Sequence, residues 1–514
     1  MEPSYAMDIA VTTAEKPAER CAIVPVCSDR LERLPAFDET LQALCRRDIA
    51  LTQFTGQWGE VLDISMPVGS QPARVTLLGA GASAGLSTTG ALTRLGGQIA
   101  IQLARLGASR ASILLDDTVV AGLGGADALE ALILGILLKS EPAYSLKSWS
   151  ASKSHTIEHI QIVGATSAEG ALDSARSRAI AKANAVSTTR RLVNAPPNVM
   201  TPSQLIAESA KLQKLGLEVV TFTGDAALSP MFPGLVAVGR GSSEESGVAI
   251  IAWRGSPDPE ARFAALSAKG VTFDSGGLTP KTEAGQRLMK IDMAGAASAI
   301  GVMQAIAQLK LPINVVAAIG AVENLSGPGA YRSGDVITMA DGTTVEVTFP
   351  DAEGRIVMGD LNVYLAQQFD PEVLVNISTL TYAAGSAVGD GCTALFANDD
   401  ALSAELIDAG SCVGEPLWRL PHGERYARLL SSEIADFKNM VAPGTWGLAG
   451  SASAAAEFLR HFAGDRCWAS LDMLGPVWQS APYELGPAGA TGSPTLTMVH
   501  WLAGRATALD SKPT

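Results

Sequence analysis

Lys269 to Asp292 reads KGVTFDSGGLTPKTEAGQRLMKID, and the residues on either side of it set the fold class. Upstream, Phe263 to Phe273 is a strand-length run of apolar and small residues. Downstream, Ala294 to Leu309 has the length and composition of a buried helix. Strand, glycine-rich turn and helix in succession predict an α/β architecture. The pattern recurs, with strands expected at Gly247 to Trp253, Asn314 to Ala321 and Val373 to Ile377 and a helix at Glu353 to Gln368. An Asp341-Gly342 hairpin is expected between Asp335 to Met339 and Thr343 to Thr348. The prediction for this half is a mixed central sheet.

The first ~165 residues read as a smaller α/β domain, with strands at Cys21 to Val26, Ala73 to Leu78 and Ala111 to Leu115 and a helix at Thr93 to Leu106. Gly79 to Gly85 invites comparison with a dinucleotide-binding loop. Its spacing is GxGxxxG, and Asp116 falls too late to hold a ribose, so it reads as a tight turn. Ala171 to Arg191 lacks Gly and Pro and reads as one long helix, stopped at Pro196-Pro197. The expected division is 1–165 as the N-terminal domain, 166–192 as a mostly helical connection and 193–514 as the second domain.

At 514 residues, 47% hydrophobic and 18% charged, the chain has the composition of a globular protein of two domains. A net charge of −14 opposes non-specific binding to nucleic acid or anionic membrane. The six cysteines lack C-x-x-C spacing and read as free thiols of a reducing compartment. His155 and His159 lack a third ligand nearby and read as a solvated pair. The N-terminus carries Glu2, Asp8 and Glu15 and no apolar run, so no secretory signal is expected. The most apolar window, Ala128 to Leu138, is too short to span a bilayer. A cytoplasmic protein is predicted.

The opening stretch and a second one, Asp351-Ala352-Glu353-Gly354-Arg355, place Asp274, Asp292, Asp351 and Glu353 at strand ends and helix starts. Carboxylates brought together raise one another's pKa, and divalent cations relieve this. Oxygen ligands in this number suit Mg²⁺, Mn²⁺ or Zn²⁺, and four are more than one such ion needs. A pair of ions would use them all. Lys269 and Lys281 beside such ions would be either neutral nitrogen ligands or electrophiles, whereas Arg355 stays charged and suits an anion. Glu283, Arg287 and Lys290 read as surface charges.

These residues resemble the leucyl aminopeptidase family of cytosolic dinuclear-zinc metallopeptidases. The matching runs are Lys269 to Gly277, then Lys281, Asp292 to Ala297 and Asp351 to Arg355. Further matches are VNAPPNVMTP at 193–202, ENLSGPGAYRSGDV at 323–336, STLT at 378–381 and DFKN at 436–439. The resemblance is strong over about 190–510 and faint before it. It implies a macro-like N-terminal domain followed by a metallopeptidase domain, assembled as a homohexamer. One metal ion would be held by Asp274, Asp351 and Glu353, and the other by Lys269, Asp274, Asp292 and Glu353. Lys281 would polarise the scissile carbonyl, and Arg355 would hold a bicarbonate acting as general base. Asp292 would also help bind the free α-amine of a peptide substrate, with Met289, Thr379 and Tyr382 near the side-chain pocket. The chain departs from the family at Phe349-Pro350, where Asn-Thr is usual, and at Tyr382, where glycine is usual. Those departures bear on which N-terminal residue is preferred. Two other classes on the same fold are a catalytically silent assembly protein, which would bind no metal, and a DNA-binding accessory factor, which the acidic balance disfavours.

Overall fold

The computed structural model describes residues 7–12, 19–34, 39–65, 74–120, 123, 125–147, 157–164, 169–442, 444 and 448–510. Contacts divide the chain into two compact units. The first is Met1–Asn184 with Cys412–Gly414 and Ala481–Ala488, and the second takes the rest.

The first unit holds β1 (Asp8–Thr12), β2 (Cys21–Val26), β3 (Val61–Ser65), β4 (Arg74–Gly79), β5 (Arg110–Leu114) and β6 (His159–Val163). They form a mixed sheet in the order β1-β6-β5-β2-β4-β3, parallel except for β3 against β4. Helix Thr89–Leu106 starts on the side chain of Thr88, which accepts the Ala91 N–H, and ends at left-handed Gly107. Gly79, which closes β4 and begins the glycine-rich stretch, has a packing reason: a side chain there would put its Cβ 1.9 Å from the Gln57 carbonyl oxygen. His159 does not stand as a solvated residue. It lies in β6, and its Nδ1 is 2.9 Å from Asp8 Oδ2; His155 lies outside the described residues. None of the six cysteines forms a disulfide among the described residues.

The second unit is built on β7 (Glu218–Thr223), β8 (Gly247–Arg254), β9 (Ala264–Asp274), β10 (Asn314–Asn324), β11 (Val336–Thr338), β12 (Thr344–Glu346), β13 (Val373–Ser378), β14 (Thr393–Ala397), β15 (Leu417–Arg419), β16 (Phe437–Lys438) and β17 (Cys467–Asp472). The main sheet has the order β15-β14-β17-β13-β9-β10-β8-β7, and its centre, β17-β13-β9-β10, is parallel. A parallel sheet is covered on both faces, which is why these strands read as unbroken apolar runs. Alternate residues go to opposite sides. Leu266, Ile319 and Ile377 join one core, shared with helix Ala294–Leu309. Ala265, Ala318 and Leu374 join the other, shared with helix Gly354–Phe369. The hairpin at Asp341-Gly342 joins β11 to β12, and the long helix runs from Glu169 to Asn194.

Asp274 is the last residue of β9, one residue beyond the strand end expected at Phe273, and is paired in register with Asn324. Glu283 and Arg287 are exposed as expected, but Lys290 is half-buried. Its Nζ donates to the Asn194 carbonyl at 2.8 Å and sits 5.1 Å from the centre of the Trp478 ring. Both partners come from distant parts of the chain, so nothing around Lys290 announces them.

Candidate functional site

The parallel strands end on one side of the sheet, and sites in α/β proteins form at such carboxyl ends. Asp274 closes β9, Asn324 closes β10, Thr379 follows β13 and Asp472 closes β17. Lys269 lies within β9. Asp292 lies in the short 3₁₀ turn Met289–Met293 that leads into helix Ala294–Leu309, and Glu353 immediately precedes helix Gly354–Phe369. Above them is a cavity of about 670 Å³ lined by Lys269, Asp274, Lys281, Met289, Asp292, Asp351, Glu353, Arg355, Thr379 and Tyr382, among others. These ten residues are the ones proposed from the sequence as metal-binding, catalytic or substrate-binding, and the structure brings them to one cavity.

Two ammonium groups are threaded between the carboxylates. Lys269 Nζ is 2.8 Å from Asp292 Oδ1 and 2.9 Å from Glu353 Oε1, and donates to the Thr379 carbonyl at 3.2 Å. Lys281 Nζ is 2.7 Å from Asp274 Oδ2 and also pairs with Asp351 Oδ1. Gly354 lies against the Lys269 stem, where an added Cβ would come within 2.5 Å of Cε. This explains a glycine directly after Glu353. The Thr379 hydroxyl donates to Asp292 Oδ1 at 2.9 Å.

The charges do not balance. Four buried or nearly buried carboxylates face two ammonium groups, and the cost of burying charge shows at Asp351 and Asp292. Burial, reinforced by Asp274 and Glu353, pushes Asp351 up to about 8 despite Lys281. Asp292 is likewise raised well above the carboxylate range by burial, against the pull of Lys269. Burial also opposes the ionised form of Glu353, but Lys269 and Lys281 outweigh it and hold this group at about 2. Burial works against both ammonium groups as well, yet the surrounding carboxylates hold them above the ordinary lysine value. A site with this surplus of acid suits added positive charge.

The donor set fits divalent cations. Asp274, Asp351 and Glu353 each present an oxygen within 4.8 Å of the others. Asp292 Oδ2 is buried without a hydrogen-bond partner among the described residues. Arg355 fits an anion: it is buried, burial lowers it to about 10, and its Nε and Nη1 have no partner among the described residues.

Other residues contribute without having been singled out. Asp472, raised to about 6 by burial, accepts the Leu380 N–H at 3.0 Å and the Thr381 hydroxyl at 2.8 Å, and so fixes the turn that carries Thr379 and Tyr382. Asn324 donates to Asp274 Oδ1 at 2.8 Å. The matched runs at 323–336 and 436–439 contain Asn324, Tyr331 and Asn439, but no charge or spacing there tells which side chain reaches the site. Tyr382 opens helix Tyr382–Val388 at the cavity. It is 54% exposed, with its hydroxyl 3.6 Å from Met289 Sδ and its ring centre 5.6 Å from Lys281 Nζ.

Comparison with known proteins adds independent findings. The cytosol aminopeptidase family's catalytic-domain profile matches residues 187–499, and its N-terminal-domain profile matches residues 23–149. A probable cytosol aminopeptidase of Gluconobacter oxydans is 36% identical over 474 residues, covering 92% of this chain and 93% of that one. One of Sinorhizobium medicae is 33% identical over 492 residues, covering 94% and 96%. Among solved structures, the bottromycin maturation enzyme BotP in complex with Mn superposes with a TM-score of 0.80 at 28% identity, covering 95% of this chain and 99% of that one. A tomato leucine aminopeptidase mutant superposes with a TM-score of 0.83 at 26% identity, covering 97% and 96%. With both domain profiles matched in order and full-length relatives at this identity, the chain belongs to the cytosol aminopeptidase family and is a metallo-aminopeptidase.

Proposed function

We propose that this enzyme removes the N-terminal residue of peptides at a centre of two divalent cations. The observation that carries the reading is the surplus of buried carboxylate around Lys269 and Lys281 on the floor of one cavity. Asp274, Asp351 and Glu353 would hold one ion, and Lys269, Asp274, Asp292 and Glu353 the other. When bound, such ions lower the pKa of a water and polarise a carbonyl. The Mn in the BotP complex supports manganese as well as zinc as an occupant.

In this reading the protein's own groups do the following work. Lys281, which borders the cavity beside Asp274 and Asp351, would direct its ammonium at the carbonyl oxygen of the scissile bond and stabilise the charge that develops there. Asp292, oriented by the Thr379 hydroxyl, receives the substrate's α-amine and restricts cleavage to the chain end. Lys269 would hold the second ion as a neutral amine, since positive charge placed beside it would oppose the pull of the carboxylates that raise its pKa in the metal-free site. Arg355 would hold a bicarbonate able to accept a proton, with its two unpaired N–H-bearing nitrogens as the donors. Tyr382 and Met289 flank the pocket for the N-terminal side chain, and a phenol there favours smaller residues than leucine. The catalytic domain would span 193–514, connected through a mostly helical 166–192 to an N-terminal domain of 1–165. The enzyme acts as a cytoplasmic homohexamer.

Asp274→Ala and Glu353→Ala should abolish release of N-terminal residues from aminoacyl amides while leaving the circular dichroism spectrum unchanged. Wild-type turnover in either variant would dismiss the site assignment. Assaying a panel of aminoacyl substrates with Zn²⁺, Mn²⁺ and Co²⁺ would identify the metal and the preferred residue together.

A further inference from the structure

The loop that carries Asp351 is held by three side chains with no assigned role. Pro350, directly before Asp351, offers only a carbonyl, and both lone pairs of that oxygen are used. Asn324 Nδ2 donates to it at 3.1 Å and the Tyr331 hydroxyl at 2.6 Å. Asn439 grips the preceding residue at both polar atoms. Its Oδ1 accepts the Phe349 N–H at 3.2 Å, and its Nδ2 donates to the Phe349 carbonyl at 2.8 Å. The same Oδ1 accepts the Thr348 N–H at 2.8 Å. Asn324 and Asn439 are fully buried and Tyr331 nearly so.

Asn324 does more than hold a loop, because its second amide hydrogen goes to Asp274 Oδ1 at 2.8 Å. One side chain at the end of β10 thus joins the carboxylate of Asp274 to the backbone beside Asp351. The amide has one possible orientation, since a carboxylate and a proline carbonyl are both acceptors and only the NH₂ group can face them. Asn324 Oδ1 is left buried without a partner among the described residues. An unpaired buried oxygen costs stability, so the residue is poorly explained by stability alone. Asp274 Oδ1 also accepts the Gly276 N–H at 2.9 Å, which leaves Oδ2 turned toward Lys281 and the cavity.

We infer that Asn324 and Tyr331 are positioning residues that hold Asp274 and Asp351 at the separation and orientation needed to share a cation, with Asn439 bracing the same loop from the other side. The inference rests on the two-cation reading. Groups that orient metal ligands from behind typically change metal affinity by about 10–100-fold when removed. The Phe349-Pro350 sequence makes this bracing more necessary here: proline has no N–H to anchor the loop itself, so its carbonyl and its neighbours must carry the restraint.

The test is a calorimetric titration of Mn²⁺ into chelator-stripped wild type, Tyr331→Phe and Asn324→Leu, with metal-free melting followed in parallel. Tyr331→Phe keeps the buried ring and removes only the hydroxyl, so it serves if Asn324→Leu fails to fold. The expected result is Mn²⁺ affinity lower by about 10-fold or more in each folded variant, with kcat reduced at saturating Mn²⁺ and KM little changed. Folded variants that bind Mn²⁺ as tightly as wild type, even if they melt earlier, would overturn the inference by reducing these residues to general scaffolding. A wild-type protein that takes up no Mn²⁺ or Zn²⁺ would instead remove the two-cation reading, and this inference with it.

Discussion

Tyr382 is where a single residue has the most to say about selectivity. Its hydroxyl lies against Met289 and its ring beside Lys281, so it covers wall that glycine would leave open. Tyr382→Gly should raise kcat/KM for N-terminal leucine relative to alanine by about tenfold or more, since each methylene accommodated in an apolar pocket is worth roughly 10–200-fold. An unchanged leucine-to-alanine ratio would remove Tyr382 from the pocket. At this scale the sequence was informative about charge and poor about support. Lys269, Asp274, Asp292, Asp351 and Glu353 stand out because acids and lysines crowd into two short segments. Asn324, Tyr331, Asn439 and Asp472 do not, because uncharged or isolated polar residues become meaningful only once their partners are known. Lys290 shows the opposite error: a charge that looked solvated is half-buried beside Trp478.

Among the elements, helix Ser451–Ala463 is tied to β14 by His422. The ring's Nδ1 faces Glu457 Oε1 at 2.7 Å and its Nε2 faces the Ala397 carbonyl at 2.7 Å. Both partners accept, so the ring satisfies both only when it is doubly protonated. Glu457, helped by the Ala397 carbonyl, raises the His422 pKa against burial and the nearby Arg460. A raised folded pKa places the stabilisation at low pH. It is complete below the free-imidazole value of about 6.5 and is lost as pH rises through the folded value. The melting-temperature gap between wild type and His422→Gln should therefore be widest in mild acid and narrow toward alkaline pH. A gap independent of pH would show that the pair contributes no proton-linked stability. The elements themselves were legible where apolar runs were long and unbroken, as in helix Ala294–Leu309 and the buried strands β9 and β10. The three-stranded ladder β11-β12-β16 was only half legible, because β16 is two residues long and joins from far along the chain.

For the molecule as a whole, the buried surplus of acid ties stability to metal. Any ligand that binds only the folded state stabilises it by mass action, by about 2.7 kcal/mol at a hundredfold excess over Kd. Restoring Mn²⁺ or Zn²⁺ to chelator-stripped protein should accordingly raise its melting temperature, and superimposable melting curves would argue against a cation among these carboxylates. No described helix is long and apolar enough to cross a membrane. The sequence by itself determined the α/β class, the sites of the two acidic segments and, through their spacing, the family. Those properties are written in local order: apolar runs that must be buried, glycines that must turn, and charges too close together to be casual. Only the tertiary structure decided which carboxylate faces which lysine and what holds the Asp351 loop from behind. It also placed Tyr382 at the cavity. Such relations join residues as far apart as Asn324 and Pro350 or Leu380 and Asp472, and a parallel sheet brings them together only after the whole chain has folded across it.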